Sequence, residues 1–479
     1  MISGVSEVKL NAEDSSSLPI FALISDSVTS FNQNISRRLF MNERGKFSYA
    51  LLLAGSLFTA VPSFAAETVD TRISRLEQEL AELKTVVNTK NAVIPGQPAS
   101  TKKAESPSTP LVSTASGTNV QFYGFARFDA SYDTGQIYPG NIALWVRPER
   151  LNNNDAEWNL TAGATRLGLN LSGPDTESMK LTGNIEFDFL TPTLAENNQV
   201  PRLRHGYLKA YWPASDFSII AGQTWDVISS LIPFVDEPAI MWDAGNIGSR
   251  HPQLRLTKGF STGQKGHVEL AVAAARTIGE SNSLAETWNT DPGKDANMPT
   301  LQGRIAYSAP LLVKNQPATI GISGNYGQEE WDTDIQGNHK TLDSWSCNLE
   351  LTMPICPKMT LAGEYFTGSN LDDYYGGIGQ GVNTSAIREI RSKGGWAALR
   401  FAFNPETSFS FGAGVDDPSN SDLSAATART KNQTIFGALV NKLTPNLILG
   451  LQLAQWKTDY YNGDRGNTLR AQSSLTYKF

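Results

Sequence analysis

The chain has 479 residues, which is enough for two or three ordinary domains or for one very large single-domain architecture. It contains 40 Gly, 21 Phe, 14 Tyr and 10 Trp but only 18% charged residues, a composition that suits repeated β-hairpins better than helices. A formal net charge of -7 gives no general basic surface, which argues against nucleic acid as a partner. Cys347 and Cys356 lack the spacing of a C-x-x-C metal or redox site, and no metal or cofactor is expected.

The first recognisable segment is an export signal that begins at Met41. Two basic residues precede an apolar run from Tyr49 to Val61, and the small residues Ala65 and Ala66 follow it. This order is typical of a secretory signal peptide, here residues 41–66, and the run is too short to cross a bilayer as a helix. Residues 1–40 are then either a non-native extension of the reading frame or a genuine leader.

The next segment, residues 67–90, has the pattern of a short coiled coil. Apolar residues recur in alternating steps of four and three, at Val69, Ile73, Leu76, Leu80, Leu83 and Val87. The run from Arg72 to Glu77 resembles a trimer-favouring pattern, although the apolar residues themselves do not separate dimer from trimer. An amphipathic helix lying on the barrel or membrane is the alternative. We expect oligomerisation through Ile73, Leu76, Leu80, Leu83 and Val87, and a flexible linker at 91–118, which is rich in Pro, Ser, Thr and Ala.

From residue 119 to residue 479 the chain alternates apolar and polar residues in stretches that end at turn residues. In the first stretch Phe122, Ala126 and Phe128 share one face, while Arg127 and Asp129 share the other. The pattern predicts about sixteen strands, near 120–133, 163–173, 179–190, 201–212, 216–223, 251–259, 266–277, 299–309, 316–328, 339–352, 357–366, 391–404, 406–415, 427–441, 445–458 and 467–479. An even number of strands is what a single-chain bacterial barrel requires.

Three features favour a barrel whose apolar face meets lipid over a soluble sandwich whose polar face meets water. They are the export signal, the number of strands, and a last strand that alternates up to the terminal Phe479. A terminal Phe on such a strand resembles the signal by which outer-membrane barrels are recognised for assembly. The predicted fold class is therefore all-β, a transmembrane antiparallel β-barrel preceded by a coiled-coil helix, in the outer membrane of a Gram-negative bacterium. Short connections are expected at the periplasmic end, and long ones, near 134–160, 224–250, 279–297, 368–390 and 416–426, outside the cell or folded inward.

Several motifs in the first third of the barrel carry a family resemblance. They are Gly222-Gln223-Thr224-Trp225, Asp236-Glu237-Pro238, Arg250-His251-Pro252-Gln253-Leu254-Arg255, the segment from Phe122 to Asp129, and Arg202-Leu203-Arg204-His205. With these motifs the chain resembles the DcaP-like trimeric porins, over about residues 67–479 and loosely after residue 260. The resemblance implies a homotrimer of sixteen-stranded barrels, each with its own pore, that favours small anionic solutes such as dicarboxylates. It also implies that the loop at 224–250 folds inward and narrows the lumen.

Alternation predicts which charged residues line this lumen. The basic candidates are Arg127, Arg166, Arg202, Arg204, Arg255, Arg304 and Arg400, with the orientation of Arg202 and Arg204 left ambiguous by Gly206 and Tyr207. The inward loop carries Asp226, Asp236, Glu237 and Asp243, which would face the basic wall and create a transverse field. Alternatively, the arginines pair with Asp129, Glu186 and Asp188 and only hold the wall rigid.

Other functions are weighed against the porin. An enzyme needs a nucleophile beside a base, and none of the four histidines lies in a recognisable Ser, His and Asp pattern, so no catalytic residues are predicted. A structural or adhesive barrel and a sugar-selective porin with aromatic tracks remain as alternatives.

Overall fold

The computed structural model describes residues 111–152, 155–190, 198–263, 265–279, 292–294, 296–334 and 338–479. The predicted extension at 1–40, the signal peptide at 41–66 and the coiled coil at 67–90, with Ile73, Leu76, Leu80, Leu83 and Val87, lie outside these residues. Across the part of the chain that is described, no helix is long and apolar enough to cross a membrane.

Sixteen antiparallel strands close into a barrel, which confirms the predicted all-β barrel and its strand number. They are β1 (Asn119–Asp133), β2 (Glu157–Thr161 and Arg166–Ser172), β3 (Lys180–Asp188), β4 (Arg202–Trp212), β5 (Phe217–Trp225), β6 (Arg250–Thr262), β7 (Gly266–Ala275), β8 (Thr300–Val313), β9 (Gln316–Asp332), β10 (His339–Cys356), β11 (Met359–Ser369), β12 (Arg391–Ala402), β13 (Thr407–Pro418), β14 (Arg429–Lys442), β15 (Leu447–Tyr460) and β16 (Arg465–Lys478).

The barrel closes where β16 pairs with the second half of β1, from Phe125 opposite Lys478 to Asp133 opposite Arg470. The first half of β1 pairs on one side with β2. On its other side, residues 119–121 pair with the short strand Leu111–Ser113. Residues 111–118 of the predicted linker therefore form a hairpin with the barrel instead of a free tether. β16 does not reach this first half of β1. The short strand covers part of the exposed edge of β1, where main-chain groups would otherwise lack partners.

The second strand differs from the predicted range of 163–173. It begins at Glu157 and is interrupted at residues 162–165, where Thr165 N–H donates to the Ala162 carbonyl. Both halves still pair with β1, and the Thr165 hydroxyl donates to the Arg127 carbonyl at 3.2 Å. The interruption is a local turn inside one strand, which alternation alone did not indicate because Ala162, Gly163 and Ala164 are small and carry no polarity pattern.

The two faces of the barrel are inverted relative to a soluble protein. Phe122 and Phe128 on the outside of β1 are each 48% exposed, whereas Asp129 and Asp133 on its inner face are 3% and 1% exposed. The same alternation continues around the wall, with Leu254, Leu301, Ile320, Leu349, Phe411, Leu453 and Leu475 among the exposed apolar side chains. An apolar belt of this extent suits a hydrocarbon surrounding and would be unfavourable in water.

The connections at the two ends of the barrel differ in length. At the turn end the strands are joined by short segments, such as 213–216, 314–315, 357–358 and 403–406. At the loop end the corresponding connections include loop 1 (134–156), loop 3 (226–249) and loop 6 (370–390). These long connections agree with the sequence prediction, and loops 1, 3 and 6 make the contacts that occupy the lumen.

Loop 3 runs along the inner wall and is held there by wall side chains. Main-chain N–H groups of Val227 and Leu231 donate to Gln302 on β8 at 2.9 Å and to Glu364 on β11 at 2.8 Å. Further along, Asp236 N–H donates to Gln452 on β15 at 2.8 Å. Because the loop bonds to strands on different sides of the barrel, it crosses the lumen and narrows it.

An apolar core joins the loops to one side of the wall. Ile137, Ala143 and Val146 of loop 1 and Met241 and Ala244 of loop 3 pack on inward side chains of β11–β15, which are Ala362, Trp396, Ala398, Phe436, Ala438, Ala454 and Trp456. These wall residues are 1–3% exposed, so this side of the lumen is closed to solvent. On the opposite wall, which is built from β2–β8, the inward side chains of Arg166 and Arg202 remain 29% and 27% exposed, so solvent reaches this side of the lumen.

Candidate functional site: the basic wall of the lumen

The first half of the barrel brings a group of arginines to the lumen. A bulge in β4 opposite Glu186 and Phe187 changes the pairing from Leu203 to His205. The extra residue lets Arg202, Arg204 and His205 all turn inward, because a bulge inserts one residue without a partner. This resolves the orientation that the sequence left ambiguous at Gly206 and Tyr207.

Four of these arginines are paired with carboxylates of the same wall. Arg204 donates to Glu186 and Asp188, each at 2.7 Å, and Arg202 contacts Asp188 at 2.8 Å. Arg166 lies 3.5 Å from Glu186. In a second cluster, Arg304 Nη1 lies 2.6 Å from Glu269, and its Nε donates to Glu350 at 3.0 Å. Each of these four arginines is therefore paired with an acidic residue of the wall.

Arg255 and Arg250 differ because neither contacts a carboxylate within the described residues. Arg255 donates to the Gln253 side chain at 2.9 Å and to the Trp225 carbonyl. Arg250, the first residue of β6, has its guanidinium 4.2 Å from the ring centre of Trp225 and 5.6 Å from that of Trp242. A guanidinium held by cation–π contacts keeps its full positive charge.

Arg250 was missed by the sequence prediction, which began the strand at residue 251. The signal was present in the Arg250-His251-Pro252 motif and in the pairing of Arg250 with Trp225 across the two strands. Trp242 belongs to loop 3 and stacks on Tyr375 of loop 6, with ring centres 4.0 Å apart. This loop packing is not encoded by alternation in the strands.

Arg127 and Arg400 lie outside this group. Arg127 is tied to Asp129 at 2.6 Å and lies 3.5 Å from Asp236, under loop 3. Arg400 on β12 is exposed in the lumen, and its guanidinium lies 4.1 Å from the ring centre of Phe234 at the tip of loop 3. No carboxylate contacts Arg400 within the described residues. Among the described residues, Arg250, Arg255 and Arg400 thus lack a carboxylate contact. Arg429 on β14 lacks one too, and is held by the Ile378 carbonyl at 2.9 Å and by the Trp145 ring.

The four acidic residues of loop 3 are turned toward the wall and covered. Asp226, Glu237 and Asp243 are 5%, 2% and 2% exposed, and the Asp236 side chain is 9% exposed. Asp226 contacts His251 at 2.8 Å, and Glu237 accepts the N–H groups of Ala143 at 3.2 Å and Ala239 at 2.9 Å. These carboxylates fasten the loop instead of presenting negative charge to an open lumen, which differs from the transverse field that the sequence suggested.

Burial dominates the protonation of these loop carboxyls. It raises the pKa of Glu237 to about 7, against the attraction of Arg470. Burial also raises the pKa of Asp236, opposed by Arg127, and together with the neighbouring Asp416 it holds the pKa of Asp243 well above its usual range. Burial would raise the pKa of Asp226 too, but His251 and hydrogen bonds from Gln302 and Ser249 outweigh it and lower that pKa.

The net electrostatic result is a basic strip opposite the closed side of the lumen. Arg166, Arg202, Arg204 and Arg304 are balanced by Glu186, Asp188, Glu269 and Glu350, which leaves the charges of Arg250 and Arg255 in excess on this wall. Among the described residues, no cluster of His, Cys, Asp and Glu is arranged to hold a metal ion. The arrangement can attract and orient anions by electrostatics and bidentate hydrogen bonding.

No protein-family model and no curated protein matches the sequence. Among solved structures, the outer membrane channel DcaP of Acinetobacter baumannii is similar over 77% of this chain and 99% of its own, with 18% identity and a TM-score of 0.62. The anion-selective porin from Comamonas acidovorans is similar over 76% of this chain and 100% of its own, with 12% identity and a TM-score of 0.50. The resemblance to DcaP seen in the sequence is confirmed at the level of the fold. The barrel and its apolar belt place the chain in the outer membrane of a Gram-negative bacterium.

Proposed function

We propose that the protein is an outer-membrane porin for passive diffusion of small hydrophilic solutes, and that it favours small anions such as dicarboxylates. The long loops would face the outside of the cell and the short turns the periplasm, the usual arrangement of such barrels. Solutes would pass between loop 3 and the wall formed by β2–β8, and would leave at the turn end, where Arg400 on β12 is exposed beyond the apolar core.

One observation carries the anion preference, namely that Arg250, Arg255 and Arg400 have no carboxylate partner among the described residues. Arg250 stands at the loop end, Arg255 lies five residues further along β6, and Arg400 lies near the turn end of β12. An anion entering from the loop end would meet uncompensated positive charge at both ends of its path. Because carboxylates match guanidinium groups in shape, dicarboxylates fit such a series well.

The reversal potential in a salt gradient tests this proposal directly. Purified protein in planar bilayers should conduct and prefer chloride to potassium, and dicarboxylates should block the current. A cation-selective channel would contradict the anion preference, and the absence of any conductance would favour a structural or adhesive barrel.

A sugar-selective porin is the nearest alternative, because aromatic rings do occur in the lumen. Their faces are, however, occupied: Trp145 is stacked on Tyr138 at 4.4 Å and covered by Arg429 at 4.2 Å, and Trp225 is covered by Arg250 at 4.2 Å. Sugar tracks need free ring faces, so this alternative has less support. Weak block by maltose-type sugars beside strong block by dicarboxylates would exclude it.

The proposal includes a homotrimer that is assisted by the coiled coil at residues 67–90. It is supported by the heptad pattern of Ile73, Leu76, Leu80, Leu83 and Val87 and by the family resemblance. No catalytic role is proposed. Mass measurement of the detergent-solubilised protein, with and without residues 67–90, tests the trimer, and N-terminal sequencing of the exported protein tests cleavage after Ala65 or Ala66.

A further inference from the structure

The outside of five neighbouring strands, β12–β16, carries charged side chains near the loop end. On these strands Ser392, Asp416, Asn432, Thr458 and Thr468 point into the barrel and are 0–4% exposed, so their sequence neighbours point outward. The outward charged residues are Lys393, Asp417, Lys431, Lys457, Asp459 and Arg465, and we refer to them as the outer charged row.

The strand register brings these residues side by side. Lys393 is opposite Asp417, Lys431 is opposite Asp459, and Asp459 is opposite Arg465. Lys431 Nζ lies 3.8 Å from Asp417, while Lys457 Nζ and Arg465 Nε lie 3.3 Å and 3.4 Å from Asp459. Four basic residues share two acidic ones, so the row has an excess of two positive charges.

The basic side chains remain accessible. Those of Lys431, Lys457 and Arg465 are 34%, 37% and 68% exposed, and the contacts of 3.3–3.8 Å leave N–H groups free for other acceptors. Arg391 on the same face is different, because Asp422 holds its guanidinium with two hydrogen bonds of 2.7 Å and 2.9 Å. We therefore leave Arg391 out of the row.

Below the row, toward the turn end, the outward positions of β14, β15 and β16 are the uncharged Gln433, Gln455 and Asn467, and beyond them the outward face becomes apolar. Ala413 is opposite Ile435, and Leu453 and Leu469 continue the surface on β15 and β16. The row thus lies at the height where hydrocarbon gives way to lipid headgroups. Lys and Arg at this height are attracted to lipid phosphate, each residue by a factor of about five in affinity.

We propose that the outer charged row binds the phosphate groups of the phosphorylated glycolipid in the outer leaflet, whose acyl chains lie against the apolar residues below. This inference depends on the loops facing outward, as proposed above, but not on which solute the channel passes. Asp417 and Asp459 space the basic groups by fixing the lysines and Arg465 in register, so that phosphates can be bound between them.

The test uses purified full-length protein in detergent with EDTA present. Native mass spectrometry would measure binding of bis-phosphorylated lipid A, of its dephosphorylated form and of inorganic phosphate. The wild type should retain the phosphorylated lipid, and the double variant Lys431→Gln/Arg465→Gln should bind it about 20-fold more weakly, since two contacts are lost.

The matched control is Lys442→Gln/Lys478→Gln, which makes the same charge change at the turn ends of β14 and β16 and should bind like the wild type. The inference would be overturned if the two double variants bound the phosphorylated lipid equally well. It would also be overturned if the wild type bound the dephosphorylated lipid or inorganic phosphate as tightly as the phosphorylated lipid. Loss of the oligomer in Lys431→Gln/Arg465→Gln with lipid binding intact would overturn it too, because the row would then be a subunit contact. Bilayer conductance should be unchanged in Lys431→Gln/Arg465→Gln, whose substitutions lie outside the barrel, and cation selectivity in all three proteins would contradict the porin proposal while leaving this inference intact.

Discussion

Individual arginines in the lumen differ in whether their charge reaches the solute. Arg204 and Arg304 each contact two carboxylates, so their fields are largely cancelled at the distance of a passing ion. Among the described residues, the hydrogen-bond partners of Arg255 are a neutral amide and a carbonyl. The contribution of each side chain to selectivity should therefore follow its pairing and not its mere presence in the wall.

Replacing Arg255 with Gln should lower the chloride-to-potassium permeability ratio by roughly twofold to tenfold, the range for one unit charge close to a partly screened ion path. The double variant Arg250→Gln/Arg255→Gln should lower it further. Reversal potentials in a salt gradient measure the ratio. Arg465→Gln, the same change on the outside of the barrel, is the control, and a ratio unaltered in Arg255→Gln would contradict the role of unpaired arginines.

The buried carboxyl of Glu237 makes the seating of loop 3 depend on pH. Its pKa is raised from 4.5 to about 7 in the folded protein, so the seated loop binds this proton more tightly than a released loop would. The resulting stabilisation is fully present below pH 4.5 and is lost as the pH rises toward 7. It amounts to at most about 3 kcal/mol, and Asp236 and Asp243 act in the same direction.

Single-channel currents should consequently be steadier at pH 5 than at pH 8, because the seated loop must then bury an ionised Glu237, and the hydrogen bonds from Ala143 and Ala239 do not fully offset that cost. The Glu237→Gln variant should lose most of this difference, since an amide cannot ionise. Glu177→Gln in the exposed turn after β2 serves as the control. Equal current noise of the wild type at the two pH values would show that the loop does not respond.

At the scale of elements, loop 3 fits the wall closely because the wall has glycines where the loop approaches. Gly414 on β13 faces the Ala244 carbonyl and the Met241 side chain, and a Cβ atom there would overlap both. Gly245 of the loop has a φ of 114°, a left-handed conformation that suits glycine, and lies against the Gly395 carbonyl. Main-chain contact of this kind leaves no space for displacement of the loop toward the wall.

The Gly414→Val variant should push loop 3 off the wall, at a cost of about 1–3 kcal/mol for overpacking, and change the single-channel conductance. Gly437→Val on the neighbouring strand is the matched control, because a Cβ atom at position 437 meets only the Phe409 ring at an ordinary 3.6 Å. Conductance in planar bilayers is the measurement. Identical conductance of the two variants would mean that the loop does not limit the path.

The strands were predictable from sequence, whereas the arrangement inside the barrel was not. Alternation is local, and it correctly predicted the barrel of sixteen strands. The burial of Asp226 and Glu237 depends on contacts with residues far along the chain, such as Gln302 and Ala143. The position of Arg250, and which half of the lumen is filled by side chains, likewise depend on how loops 1, 3 and 6 pack together. The strand pattern does not predict that packing.

For the whole molecule, closure of the barrel depends on the last residue. Phe479 N–H donates to the Gly124 carbonyl at 3.1 Å, and Gly124 N–H donates to the Phe479 carbonyl at 3.2 Å. The Phe479 ring is stacked on Phe122, with ring centres 5.5 Å apart. Gly124 is needed there because a Cβ atom would lie 2.9 Å from the Phe479 ring. The terminal aromatic residue thus completes the contact between β16 and β1 in addition to any role as an assembly signal.

Deletion of Phe479 should remove two hydrogen bonds and one aromatic contact, a loss of about 2–4 kcal/mol at the seam. The loss falls on β16 and β1, the pair of strands whose association completes the barrel. The deletion variant should therefore convert to the slower-migrating unfolded form on SDS gels at a lower temperature than the wild type. Tyr461→Ala, which removes an exposed aromatic ring from the connection between β15 and β16, is the control. Refolding the wild type and the deletion variant in vitro, where no assembly machinery is present, separates the role of Phe479 in closing the seam from its role as an assembly signal. If the deletion impairs export in cells but leaves the thermal transition of the refolded protein unchanged, Phe479 acts as a signal alone and the seam is closed without it.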